Sequence, residues 1–291
     1  MRIQTILDLK TTTFLQFTLN PYTRNDQASS SDILPFLQEG DLVLRDLGYH
    51  VLKVFQQINA KKAFFLSKYH YPVALFDYNT GTRIRLLKKL KKYGNMDMLV
   101  NMGDKVKIPV RIVAIKLSKK EALQRKKNLQ NHPDRRMNPS REHLALCAWA
   151  IYTTNASPQS LPPQKISQVY GLRWQIEIIF KAWKSHCHFN TISPFATKEL
   201  IEASMYAKLI FVVLFFERLF KPAVRIFQRK THRQISLLKY MRLLNACSDL
   251  IRMASANFLS ENYWNQLLIK HCSYETRNDR LNYPQKLMLL A

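Results

Sequence analysis

"YGLRWQIEIIFKAWK", residues 170–184, places one glutamate among a tyrosine, an arginine and a lysine. At about 100° per residue, Tyr170, Arg173, Glu177 and Lys184 fall within an arc of about 60° on an ideal helix. Ile176, Ile179, Phe180 and Trp183 fill the neighbouring sector, so an apolar stripe runs beside a polar one. Taken alone, the pattern reads as an amphipathic helix whose Arg173 and Glu177 form an ordinary i,i+4 ion pair. Whether Glu177 is a surface residue or a chemical one depends on the rest of the chain.

The chain has 291 residues, enough for one large domain or two smaller ones with a real core. Lysine and arginine total 45 against 20 aspartates and glutamates, a formal charge of 45 − 20 = +25 spread along the sequence. Such an excess fits a polyanion partner, because neutralised phosphates release counterions and that release drives binding. Cys147, Cys187, Cys247 and Cys272 form no C-x-x-C pair, which fits a reduced cytoplasmic protein rather than a disulfide scaffold. The start, "MRIQTILDLKTTT", lacks a signal-peptide pattern. "LIFVVLFF", residues 209–216, is too short to span a bilayer and reads as a buried helix segment. Six glycines and no G-x-x-x-x-G-K-[ST] or G-x-G-x-x-G argue against a nucleotide cofactor.

Along the chain, "RIQTILDL" and "TTFLQFTLNP" predict a hairpin. Ser31-Asp32 reads as a cap for a short helix ending at Gly40. "DLVLRDLGYH" predicts a buried strand, Leu42 to Leu44, that ends on Asp46 and turns at Gly48. "VLKVFQQINAKK" has helical periodicity and "AFFLSKY" reads as a strand. "KYHYPVALF", "TRIRLLKKL" and "KVKIPVRIVAIKL" read as strands with basic alternation, "SKKEALQRKKNLQN" as a basic helix and "HPDRRMNPSREH" as a loop. "LALCAWAIYTTN", residues 144–155, predicts an apolar strand, followed by the connector "ASPQSLPPQ" and by Ser167 as a cap for the Glu177 helix. His186, Cys187 and His188 are three adjacent residues, which rarely face one ion, so they read as a polar helix end.

These pieces, in this order, resemble the DDE transposases of bacterial insertion sequences, in particular the insertion-sequence 4 family. That family carries a Tyr-x2-Arg-x3-Glu-x6-Lys signature, matched here by Tyr170, Arg173, Glu177 and Lys184 at every spacing. "LVLRDLGYH" resembles its strand-end aspartate with a Gly-Tyr turn, and "AWAIYTTN" the strand before its glutamate helix. The resemblance covers nearly the whole chain. It implies an α/β fold with a ribonuclease H-like core, a β-rich insertion and a helical C-terminal region. The corresponding boundaries are 1–69 and 144–215 for the two parts of the core, 70–143 for the insertion and 216–291 for the basic helical region.

By the same resemblance, Asp46 and Glu177 are the catalytic and metal-holding carboxylates, with two Mg²⁺ or Mn²⁺ ions in an intact member. Phosphodiester cleavage and strand transfer need attacking and leaving oxygens stabilised together, and hard cations suit a few carboxylates plus water. Arg173 and Lys184 would hold phosphates of double-stranded DNA at the transposon ends, with Tyr170 packing beside them. Trp149 lies 28 residues before Glu177. It matches a family tryptophan that stacks on a displaced base, or else it is a core aromatic on a strand. Asp46 has an alternative as well, since Asp before Gly is common in turns. The resemblance further implies a homodimer, no membrane, and a place in the bacterial cytoplasm at the nucleoid.

One departure stands out. The family's first catalytic acid lies on a strand before the opening hairpin, and here the hairpin begins at Met1. Asp8 is the nearest candidate, while Asp26 and Asp32 suit loop or capping roles. The expectation is an incomplete core lacking that central strand, hence a truncated and inactive transposase. The alternative is a non-enzymatic DNA-binding or dimerising fragment that interferes with a full-length enzyme.

Overall fold

In the computed structural model, residues 1–131, 138–191, 196–231, 234–246, 249, 261–274 and 281–290 are described. The chain forms two compact units, Tyr22–Arg173 on the one hand and Met1–Pro21 with Trp174–Ala291 on the other.

The first unit is built on a mixed sheet. β3 (Leu42–Arg45) and β4 (Phe64–Lys68) run parallel, with Leu42 opposite Phe64 and Arg45 opposite Ser67. A parallel pair needs a crossover, and α1 (Leu52–Ala60) supplies it. β5 (Leu75–Asp77), β6 (Met96–Met102), β7 (Ile108–Lys116) and β8 (Trp149–Thr154) complete the order β3-β4-β8-β7-β6-β5, all later pairings being antiparallel. The strands of the 70–143 segment therefore continue the same sheet as the Asp46 strand. β7, "IPVRIVAIK", is buried along most of its length, as a near-continuous apolar run should be. The core beneath centres on Phe55 and Phe65, stacked at 4.2 Å, with Ile58, Leu90, Val110 and Ile112 fully buried around them. Arg111 on β7 is buried, yet its guanidinium forks onto Asp97 at 2.6 and 2.7 Å and donates to the carbonyls of Ala156 and Leu161. That pairing ties the connector after β8 to the sheet.

In the second unit, β1 (Arg2–Asp8) and β2 (Thr13–Asn20) form the expected hairpin as a two-stranded sheet of its own. A lone hairpin is marginal in water. Here Ile3, Leu7, Phe14, Phe17 and Leu19 pack on a helical core that includes Trp183 and Phe216, with Phe14 5.5 and 4.8 Å from those rings. The helices are α6 (Trp174–His186), α7 (Lys198–Phe215), α8 (Lys221–Thr231) and α9 (Leu237–Ala246), followed by Glu261–Cys272 and Tyr283–Leu287. The mixed sheet and the helical C-terminal region agree with a ribonuclease H-like α/β fold. Among the described residues no helix is long and apolar enough to cross a membrane.

Several expectations are corrected. "TRIRLLKKL" turns into α2 (Leu86–Tyr93), because Leu86 and Leu90 bury one side of a helix while the lysines stay outside; alternation over so short a span misled. β6 gave no clear strand signal. α4 (Arg141–Leu146), capped by the Ser140 hydroxyl, takes the start of the strand expected at 144–155 and the end of the expected loop, whose residues 132–137 lie outside the described residues. The helix before Gly40 is 3-10, Ser30–Phe36, with Ser31 inside it and Pro35 limiting its length. "LIFVVLFF" is buried on one face only: Leu209, Val212 and Phe215 point inward, but Ile210, Phe211 and Leu214 are exposed.

His50, just past the Asp46 turn, is buried against Phe55 and near His70, and burial first, then the His70 charge, holds its pKa down to about 4. A histidine depressed below its ordinary value folds neutral, so its contribution is intact above about pH 6.5 and is lost as the pH falls towards 4. The loss is about 3 kcal/mol. We expect the melting temperature to drop across that window and the drop to shrink in His50→Leu. An unchanged pH slope in the variant would place the titration elsewhere.

Candidate active site

Asp46 ends β3 and stands at the head of a 3-10 turn, Leu47–Tyr49, without spending its side chain as a cap. The carboxylate is about half exposed, 54%, and lies 3.8 Å from Arg173. The turn explains the Asp-x-Gly pattern. A Cβ on Gly48 would sit 2.6 Å from Asp26 Oδ2 and 3.1 Å from Asp26 Cβ, so a side chain there displaces Asp26. Asp26 is thus a packing neighbour of the turn. Asp32, in turn, pairs with Arg24 at 3.1 Å.

Tyr170 is the centre of the arrangement around Asp46. Its ring is buried, with Arg173 on it and Lys68 also on it, each 5.6 Å from the centroid. Its hydroxyl donates to the Arg45 carbonyl at 3.3 Å, and burial pushes its pKa up to about 12, so it stays a neutral donor. Lys68 is the last residue of β4, and the residue before it, Ser67, faces Arg45 across the parallel pair. Asp46 and Lys68 therefore sit at the carboxyl ends of adjacent parallel strands, where open α/β sheets place ligand sites. Sequence reasoning missed Lys68. Its only signal was its place after the apolar run "AFFLS", one position past the register partner of Arg45.

The helix expected across 170–184 is broken. α5 (Pro163–Tyr170) ends at Tyr170, Gly171–Arg173 forms a 3-10 turn, and α6 starts at Trp174. Ser167 accordingly lies inside α5, bonded to the Tyr152 hydroxyl, and caps nothing. Tyr170 and Arg173 belong to the Tyr22–Arg173 unit, Glu177 and Lys184 to the other. Glu177 occupies the first turn of α6, where the helix dipole favours a carboxylate, and is half-buried. Lys184 follows two turns later and is exposed, while Ile179, Ala182 and Trp183 bury the other side. Trp149 takes the second of its two alternatives. Its indole is 8% exposed against the apolar core and donates to the Gly94 carbonyl at 2.6 Å. His186 ends α6 as expected, and burial raises the Cys187 thiol to about 11.

A mixed sheet with an exposed carboxylate at a strand's carboxyl end, cations around it and helices after it defines a ribonuclease H-like domain of the DDE transposase class. The chain belongs to the transposase DDE domain family, whose profile matches residues 1–209. It is similar to the transposase for insertion sequence element IS231E of Bacillus thuringiensis subsp. finitimus, at 28% identity over 84% of this chain and 55% of the relative. The IS231C transposase of Bacillus thuringiensis subsp. berliner is 28% identical over 87% of this chain and 57% of its own length. The IS1151 transposase of Clostridium perfringens is 23% identical over 74% and 49%. The chain spans about half the length of these curated relatives.

Gly48→Ala should destabilise the fold by about 1–2 kcal/mol, from the displaced Asp26 side chain. Adding Asp26→Ala should recover most of that loss in a denaturant titration. Simple additivity of the two changes would show that the turn is limited by something other than this contact.

Proposed function

We propose that the chain works as a transposase of an insertion sequence, cleaving and transferring strands of double-stranded DNA at transposon ends. The observation that carries it is an exposed Asp46 carboxylate, free of capping, 3.8 Å from Arg173, whose guanidinium shares the Tyr170 ring with Lys68, in a chain of the transposase DDE family. Two cations held around the Tyr170 ring suit the non-bridging oxygens of a phosphodiester, and Lys184, exposed on α6, suits a neighbouring phosphate.

Family membership implies dependence on a divalent metal. The donor chemistry fits a hard cation: Asp46 and Glu177 are carboxylates, and Mg²⁺ or Mn²⁺ keeps several waters. When bound, a pair of such ions stabilises the attacking and leaving oxygens of one phosphate. On this reading Asp46 and Glu177 act together, Arg173 and Lys184 orient the strand, and Tyr170 holds Arg173 in place. A homodimer at the bacterial nucleoid is the working form.

A second reading, DNA binding without cleavage, is favoured by the use of the remaining acids. Asp8 accepts from the Lys10 amide at 2.8 Å and from the Thr11 hydroxyl at 2.7 Å, so it stabilises its own turn. Asp32 is paired with Arg24.

One assay separates the readings: a labelled transposon-end duplex is incubated with the chain and Mg²⁺ or Mn²⁺, and nicks are counted. The first reading expects cleavage that falls at least about 100-fold in Asp46→Asn and in Glu177→Gln, with duplex affinity kept within about twofold. Tight binding with no nicking would establish the second. Cleavage that survives Glu177→Gln would sink the assignment of that residue.

A further inference from the structure

We propose that a groove on the Tyr22–Arg173 unit, built from residues outside the Asp46 site, binds a short single-stranded stretch of DNA. The inference rests on DNA being the substrate of the chain.

The groove measures about 680 Å³ and opens between the segment after β4 and the start of α2. Tyr69 and Tyr71 line it together with Arg83, Arg85, Lys88 and Lys91. The four cations are exposed, and among the described residues none of them makes an ion pair. Among the described residues Glu142 is the one carboxylate in the lining, so these residues bring four positive charges against one negative. Ala74, Leu75 and Leu86 are buried and give it an apolar base.

The aromatic side is held in position. The Tyr71 ring stacks on His143 at 4.7 Å, and its hydroxyl lies 3.1 Å from Ser140 Oγ and 3.4 Å from Glu142 Oε2. The Tyr69 hydroxyl donates to the Val73 carbonyl, and burial raises its pKa far above the usual phenol value. The rings are therefore ordered before any ligand arrives. α2 presents its lysines outward because Leu86 and Leu90 are its inward side, so the cations are fixed to a packed helix.

Cations along one side of a groove and aromatic rings in the same groove are the two components of single-strand binding. The cations track phosphates and the rings stack on bases, whatever the sequence. A duplex keeps its base faces stacked inside and would use only the cations. The tyrosines are what favour an unpaired strand over a duplex or an acidic protein surface, neither of which needs them.

The test uses the full chain with a labelled twelve-residue thymidine oligomer and a duplex of the same length, read by fluorescence anisotropy across a salt series. The charge-reversed variant Arg83→Glu/Arg85→Glu/Lys88→Glu should lose at least tenfold in oligomer affinity. Its salt slope should flatten by up to about 2, at about 0.7 for each phosphate no longer neutralised. Duplex affinity should fall at least threefold less than oligomer affinity. Tyr71→Leu, the second variant should the triple fail to fold, should weaken oligomer binding at least fivefold, with Tyr71→Phe within twofold of the parent. Equal losses on both DNAs would show a long-range charge effect and overturn the proposal. So would an unchanged oligomer affinity, which would assign the cations to another partner. A parent chain that binds duplex but not the oligomer refutes the groove alone; one that binds neither refutes the transposase reading as well.

Discussion

The ring of Tyr170 fixes the geometry around Asp46. It receives the Lys68 ammonium and the Arg173 guanidinium, and its hydroxyl anchors on the backbone carbonyl of Arg45, the residue before Asp46. One side chain thus joins the ends of β3 and β4 to the end of α5. Cations over an aromatic ring keep their charge while giving up less hydration than in a buried ion pair. A carboxylate in the place of Tyr170 would neutralise both and leave less to offer a phosphate.

This arrangement gives the signature a meaning different from its helical spacing. Tyr170 and Arg173 end one compact unit, and Glu177 and Lys184 lie near the start of the second segment of the other. The stretch 171–173 is a 3-10 turn, with Leu172 fully buried, so the four residues are not one stripe on one helix. The fixed spacing measures the length of a junction.

Much of the fold was legible because the sequence carries strong periodic signals there. The hairpin, β3 with its Asp46 end, α1, β4, β7, α3 (Lys119–Gln130) and the Glu177 helix all follow from apolar runs bounded by turn chemistry. The misses have common causes. α2 is eight residues long, too short to separate a period of 2 from 3.6 when lysine fills half the positions. β6 alternates methionine with polar residues and lacks β-branched side chains except Val100. Trp149 was ambiguous for a different reason: a strand tryptophan can face the core or solvent, and only the Gly94 carbonyl, 55 positions away, decides which. In the candidate site, Asp46, Arg173 and Tyr170 were readable as a motif. Lys68 was not, because its relation to Tyr170 depends on strand register.

Charge balance carries the last step. Arg45 is buried with its guanidinium bonded to the carbonyl and hydroxyl of Ser30, and burial lowers its pKa to about 10. It still keeps its proton at neutral pH. Among the described residues, Arg45, Lys68 and Arg173 stand near the ends of β3 and β4 together with the carboxylates of Asp46 and of Asp26, which packs on its turn. Placing a protonated guanidinium in a site without a carboxylate partner costs folding energy, and the hydrogen bonds to Ser30 recover only part of it. On the proposed reading, a phosphodiester and its metal, an anion with a cation, would bind beside these groups together. The +25 of the whole chain would draw DNA to many parts of the surface. What sets the end of β3 apart is an exposed carboxylate next to a guanidinium held on a buried ring, not its excess of charge.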